Sequence, residues 1–277
     1  MRYNLADLVR RTRNPRRSRI VIPDIRPTGV QATDLHRRAY APVIALWQRR
    51  GERIAAEYAR TLSAITQDSP ADLQAELDAA GGEFERLFII IRASLEEWLV
   101  QTETWQRGRW RGAVLSATGV DLETLLGPAD MRETLESYLA WNLDLVRDVN
   151  AQTRKRMSDA VFTGVQERRP AREVAKQISE ATGMARDRSL RIASDQVSKI
   201  TSALADERRR DAGIDKWRWR WSHKKNGRPE HIARDGKVYS DTEAGAGGDV
   251  LPPPPQDDWP GRKPYCGCRS QAVLDLD

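Results

Sequence analysis

Trp217-Arg218-Trp219-Arg220-Trp221 opens the stretch that decides how this chain is read. It continues through Gly227-Arg228-Pro229-Glu230-His231, Asp235-Gly236-Lys237-Val238-Tyr239, Pro252 to Pro255 and Cys266-Gly267-Cys268-Arg269. The Trp/Arg alternation has period two, which predicts a strand with one aromatic and one basic face. Asp235-Gly236 is a turn signal, and a β-branched residue and a tyrosine follow it closely. Four consecutive prolines cannot donate to a ladder and suit an extended polyproline connection. The tryptophans admit two uses. They can stack on single-stranded bases while Arg218 and Arg220 meet phosphates, or they can be the core of a small sheet, which must bury much area with few residues. The core use is preferred.

Upstream of this stretch the spacing is helical. Thr33 or Asp34 can cap a helix to about Gln67, with Val43, Trp47, Ile54, Tyr58, Leu62 and Ile65 on one stripe. After Ser69-Pro70 a second helix is expected to break or kink at Gly81-Gly82. It resumes with Phe84, Leu87, Phe88, Ile91, Leu95, Trp98 and Trp105, and Gly108, Gly112 and Gly119 then mark an irregular stretch. A third helix from Gly127-Pro128 to Phe162 or Gly164 carries Met131, Leu135, Tyr138, Leu145 and Val149 on one face. A shorter helix over Ala171 to Ala181 should end at Gly183. The last helix, closed by Gly213, has Leu190, Ala193, Val197, Ile200 and Leu204 as an apolar seam, and Asp206, Glu207, Arg208, Arg209 and Arg210 on its polar face. The fold class expected is α+β: a long-helix, mainly α N-terminal body with a small antiparallel β-rich C-terminal module.

At 277 residues the chain can form one large or two modest domains. Hydrophobic content of 39% and charged content of 31% fit long solvated helices. No window approaches a membrane span, since Leu87 to Leu99 contains Arg92, Glu96 and Glu97. No apolar signal region follows the N-terminus, so synthesis in the cytoplasm is expected. The net charge of +6 is carried entirely by residues 1–30, which hold eight arginines against two aspartates. Arg10, Arg11, Arg13, Arg16, Arg17 and Arg19 of this arm are candidates to bind phosphates or an acidic partner surface. Ile20-Val21-Ile22 favours a protein dock, because a free tail gains nothing from three β-branched residues.

The order of signals from about residue 165 onward resembles the Mu F-like head morphogenesis proteins of tailed bacteriophages. The pieces that carry the resemblance are Ile192-Ala193, Gly213-Ile214, Trp219, Arg228 to His231, Asp235-Gly236-Lys237, Pro252 to Pro255 and Cys266 to Cys268. The family usually has an arginine between the cysteines, where this chain has Gly267, with Arg269 just after. The charge asymmetry marks an arginine-rich arm at 1–30 and the helical spacing a helical body at 31–165, while the resemblance implies a Mu F-like domain at 166–277, two helices and then a β-rich module over 213–277. It further implies a minor head protein of a phage or prophage, made in the host cytoplasm and kept in the virion head. Its implied partners are the portal protein, the major capsid protein and double-stranded DNA. The alternative is a nucleic-acid-binding module that uses the arm and the Trp/Arg strand.

The resemblance assigns structural roles to Trp219, Arg228, His231, Asp235, Gly236, Cys266 and Cys268. Arg228 and Lys237 are expected to shape turns or to pair with Glu230 and Asp235. His231 with Cys266 and Cys268 could bind zinc, for which thiolate and imidazole are preferred ligands, with His223 the other histidine nearby in sequence. A fourth ligand would be needed, and Cys-x-Cys is tighter than the usual knuckle. The preferred reading therefore has no metal: the cysteines are small buried hydrophobes and His231 hydrogen-bonds across the strands. His36 is read as a packing or surface residue. Glu230 and Asp235 flank His231, but no nucleophile, phosphate-loop or zinc-protease motif accompanies them, so no enzyme is expected. Some Mu F-like chains carry a toxin enzyme after this domain; none is expected in the eight residues after Arg269.

Overall fold

The computed structural model describes residues 2–12, 18–64 and 69–276. Along the chain these form α1 (Leu5–Thr12), β1 (Arg19–Val21), α2 (Gly29–Leu35), a π-helical turn (His36–Tyr40), α3 (Ala41–Ala64), α4 (Ser69–Thr118), α5 (Arg132–Glu167) and α6 (Ala171–Asp211). The C-terminal part adds β2 (Lys216–Arg220), α7 (Pro229–Ala233), β3 (Val238–Ser240), β4 (Val250–Leu251) and β5 (Arg269–Asp275). The fold is α+β: long helices make up the N-terminal body and a small mixed sheet lies at the C-terminus. Two compact units result, one from Met1–Gly29, Leu99–Glu136 and Asp195–Asp277, the other from Val30–Trp98 and Ser137–Ser194. The cuts fall inside α2, α4, α5 and α6, so the units are not consecutive blocks of sequence, and residues 1–29 share a unit with the sheet.

The second unit is a helical core. Val43, Trp47, Ile54 and Tyr58 of α3 are buried, as are Phe84, Phe88, Ile91, Leu95 and Trp98 of α4. Leu62 is exposed, and Ile65 lies outside the described residues. Trp47 donates its indole N–H to Asn150 Oδ1 at 2.7 Å, and Tyr58 donates to the Arg169 carbonyl at 2.7 Å, so both buried polar tips find acceptors.

The glycines behave differently from expectation. α4 runs 50 residues through Gly81, Gly82, Gly108 and Gly112, and α6 runs 41 residues through Gly183. A mid-helix glycine costs only about 1 kcal/mol against alanine, less than the burial lost if the helix stopped. Ala80 and Phe84 are buried on either side of the Gly81-Gly82 pair, and Ala181 and Ala185 on either side of Gly183. Two glycines that do stop helices are Gly119 and Gly213, with φ of 78° and 73°. Gly213 N–H bonds the Arg210 carbonyl and Ile214 N–H the Arg209 carbonyl, both at 3.0 Å, the bond pair of a Schellman ending.

In the first unit the strand order is β1-β5-β2-β3-β4. The first three pairings are antiparallel and β3–β4 is parallel, so the sheet is mixed where a wholly antiparallel one was expected. Trp217 pairs with Ala272 and Trp219 with Ser270, which puts both tryptophans on the same face as Ala272 and Leu274. The opposite face gathers Val21, Val238, Val250 and Val273 into a smaller cluster.

Residues 1–29, where described, are part of this unit. Leu5, Val9, Ile22 and Ile25 are buried with Trp110, Val114, Ile214 and Leu274. Ile22 N–H bonds the Ala272 carbonyl at 3.0 Å and Leu276 N–H the Ser18 carbonyl at 2.7 Å. The reason is edge protection: without β1 the outer side of β5 would expose an unpaired row of amides. Arg208 and Arg209, expected on a solvated face, are 0% and 1% exposed. Their guanidiniums bond internal acceptors through most of their nitrogens, while Arg208 Nη1 and Arg209 Nε are buried without a hydrogen bond. Arg208 bonds Glu103 at 2.5 Å and Gln106 at 2.6 Å, while Arg209 bonds Asp241 at 2.7 and 2.9 Å and the Ile214 carbonyl at 2.7 Å.

Two alanine substitutions test the continuous helices. A Cβ at Gly183 meets nothing within 4 Å, so Gly183→Ala should raise stability by about 0.5–1 kcal/mol. A Cβ at Gly164 would stand 2.6 Å from Val174 Cγ2 and 3.0 Å from Tyr58 Oη, so Gly164→Ala should lower it by about 1–3 kcal/mol. Denaturant midpoints of the two variants should move in opposite directions. A destabilising Gly183→Ala would mean that α6 breaks there.

Candidate functional site

The residues singled out from the sequence converge on the Trp face of the sheet. β2 buries Trp217 and Trp219 completely. Trp217 stacks on Tyr239 at 5.0 Å and lies 5.4 Å from Trp259, so the aromatic alternation is used for packing. Arg218 and Arg220, on the other face, are half-buried. The Asp-Gly-Lys turn closes on β2. Asp235 Oδ1 accepts from the Trp221 N–H at 2.9 Å, and the Gly236 N–H bonds the Trp219 carbonyl at 2.9 Å. Gly236 takes φ of 79°, a left-handed conformation that costs a side-chain-bearing residue more.

Arg228 does not pair with Glu230; it donates to the Pro264 carbonyl at 3.2 Å. Pro229 follows it at the first position of α7, where its missing N–H is harmless. That short helix turns His231 inward until it is 1% exposed, with its ring edge-on to Trp219 at 5.0 Å. Cys266 and Cys268 are 4% and 2% exposed. Gly267 between them takes φ of 66°, and the Cys268 N–H reaches Cys266 Sγ at 3.4 Å.

His231 thus sits between two kinds of partner. Its Nδ1 lies 3.3 Å from Cys266 Sγ and 3.6 Å from Cys268 Sγ, and its Nε2 lies 2.9 Å from Asp258 Oδ1. The acceptor is a loop carboxylate where a cross-strand bond was expected. Asp258 also receives Arg234 at 2.6 Å and has Lys263 Nζ 3.5 Å away. Burial pushes the Asp258 carboxyl up, but the bonds from His231 and Arg234 outweigh it and hold it at about 2. Between the cysteines, the neighbouring Cys268 holds the Cys266 thiol down against the opposing effect of burial, while Cys266 and burial push Cys268 up.

The sequence reading missed Asp258. A signal for it existed, since a buried imidazole needs a partner for its second nitrogen, and Asp257-Asp258 directly follow the proline run. Glu230 is exposed, and Asp235 is engaged by backbone. His223 lies 4.5 Å from the Trp221 ring and is exposed. His36 lies in the other unit, 3.1 Å from Ser189 Oγ.

The arginines of the N-terminal segment have separate fates. Arg10 bonds Asp7 and the Leu276 carbonyl, while Arg19 bonds Asp249 at 2.6 Å and Asp275 at 2.9 Å. Those carboxylates hold the Arg19 pKa above its ordinary value. Arg11 is exposed. Arg13, Arg16 and Arg17 lie outside the described residues.

Residues 154–271, under half of the chain, match the family described as phage Mu protein F like protein. The match contains β2, α7 and every residue of the His231 cluster. An uncharacterised protein of Haemophilus influenzae is 28% identical over 159 residues, 57% of this chain and 34% of that protein. The chain thus spans about a third of the length of that relative. No solved structure matches.

The two acidic positions near His231 should respond in opposite ways. Asp258→Asn weakens charged hydrogen bonds to a buried ring and to Arg234, so it should cost about 1–3 kcal/mol. Glu230→Gln changes an exposed side chain and should stay within about 0.5 kcal/mol. Thermal unfolding of both variants measures this, and a larger loss from Glu230→Gln would contradict the geometry.

Proposed function

We propose that this protein is a minor head protein of a tailed bacteriophage or prophage, acting in head morphogenesis as a structural component. The single observation that carries the reading is the use of the motif residues inside the family-matched segment. Trp219, His231, Cys266 and Cys268 are buried, Asp235 and Gly236 close a strand, and Arg228 holds a loop carbonyl. Each is engaged in holding the module together, and a reacting substrate needs access that these thiols and this imidazole lack. On this reading the protein is not an enzyme, although Cys266, His231 and Asp258 stand in nucleophile–base–orienter order.

Assembly in the host cytoplasm, retention in the virion head, and contact with the portal and the major capsid protein are proposed from the family. None of the helices in the described residues is long and apolar enough to cross a membrane. Support for a protein partner comes from α4, where Ile89 and Ile90 are 71% and 64% exposed on adjacent positions of a long helix. Ile89→Glu with Ile90→Glu should leave the fold and melting temperature unchanged while reducing incorporation into heads several-fold. Wild-type incorporation and titre in a phage carrying both changes would remove this surface from the proposal.

The second reading, contact with packaged DNA, rests on the basic segment. Deletion of residues 1–30 is an unsuitable test, because Leu5, Val9 and Ile22 belong to the core. Replacing Arg11, Arg13, Arg16 and Arg17 with glutamine avoids that. Each phosphate left without its arginine lowers the slope of log K against log salt by about 0.9, so the four together predict a fall of up to about 3.6. An unchanged slope would leave the segment without a DNA role.

A further inference from the structure

We propose that His231, Cys266 and Cys268 bind a zinc ion. The three ligand atoms lie within 4.8 Å of one another in a buried cluster. A tetrahedral zinc with Zn–S of about 2.3 Å and Zn–N of about 2.0–2.1 Å holds sulfur and nitrogen about 3.5–3.6 Å apart. The two sulfur-to-Nδ1 distances, 3.3 and 3.6 Å, bracket that value. The turn Cys266-Gly267-Cys268 makes the spacing workable. With Gly267 left-handed, both sulfurs face one imidazole, and the Cys268 N–H at 3.4 Å from Cys266 Sγ is the donor a metal-bound thiolate needs.

The outer partner points the same way. Asp258 accepts from His231 Nε2 at 2.9 Å, which fixes the proton on Nε2 and leaves the Nδ1 lone pair directed at the sulfurs. A carboxylate behind an imidazole is the usual support of a zinc-ligating histidine. Arg234 at 2.6 Å keeps that carboxylate in place. Charge balance agrees as well. Two thiolates neutralise a dication, and a neutral complex suits surroundings made by Trp217, Trp219 and Tyr239. Two sulfurs and an imidazole select zinc over magnesium, calcium or manganese. Among the described residues three side chains supply ligands, and the burial that keeps a substrate from them leaves the fourth tetrahedral position room for nothing larger than a water. The ion would tie α7 to the segment before β5 and complete the core of the module. This inference does not depend on the assembly role, since a zinc-stapled module fits either reading of function.

The experiment uses the full chain, produced with added zinc, dialysed and analysed for metal. About one zinc per chain is expected. Cys266→Ser and Cys268→Ser should each lower bound zinc at least about 10-fold, and Asp258→Asn should weaken zinc affinity by about 10–100-fold. His223→Ala should retain the full amount. Because a cysteine variant can lose metal by failing to fold, the intact chain is also reconstituted with cobalt(II). Sulfur-to-cobalt charge-transfer and intense tetrahedral ligand-field bands are expected there, and removal by a chelator should expose two reactive thiols. Below about 0.1 zinc per chain, or cobalt spectra without sulfur bands, the proposal is overturned. Full zinc content in Cys266→Ser, or loss of zinc in a folded His223→Ala, overturns the ligand set.

Discussion

The first unit depends on two neighbouring buried guanidiniums at the end of α6. Arg208 reaches Glu103 and Gln106 of α4, and Arg209 reaches Asp241 beyond β3 and the carbonyl of Ile214. One helical turn therefore fixes both the helix beside it and the sheet after it. Burial lowers the Arg208 pKa, and the neighbouring Glu103 carboxylate opposes that shift without cancelling it. Removing one partner of such a pair costs about 3–5 kcal/mol, because an uncompensated charge stays inside. Asp206, one turn earlier, is pushed up by burial and accepts from Ser270 of β5. Polar bonds, with their fixed geometry, hold α6 against β5 in a register that apolar contact alone would leave loose.

On this frame a small sheet is closed by very few side chains. Two tryptophans, one tyrosine and two cysteines make the cluster, with Trp221 and Trp259 packed at its margin. Large aromatics bury much area per residue, so a short strand such as β2 can still contribute a core. The proline run belongs to this economy. It carries the chain to the turn bearing Asp258, and the Trp259 indole bonds back to the Pro254 carbonyl at 3.0 Å. The irregular segments between strands thus hold the groups that surround His231.

The N-terminal segment shows how one composition serves two purposes. Its apolar residues pair with and cover β5, while Arg10 and Arg19 neutralise local acids and carbonyls. A block of like charge read as an arm for phosphates or an acidic partner becomes, in part, a network pinned to Asp249 and Asp275. Those acids lie far along the chain, and only folding brings them near.

The sequence by itself determined the aromatic alternation of β2, the stop at Gly213, the Asp235-Gly236 closure and the triad of His231, Cys266 and Cys268 as a group. These are local matters: period, φ sign and ligand type can be read from a few adjacent residues. The tertiary structure decided the rest. Gly81, Gly82 and Gly183 do not interrupt helices because packing on both sides outweighs a propensity of about 1 kcal/mol. Arg208 and Arg209 are interior because Glu103 and Asp241, distant in sequence, pair with them. β4 pairs parallel to β3 and β1 joins β5 because the open edges of a small sheet need partners. Asp258 became part of the His231 cluster for the same reason. A buried imidazole requires an acceptor, and which carboxylate supplies it is set by the path of a loop, not by residue order.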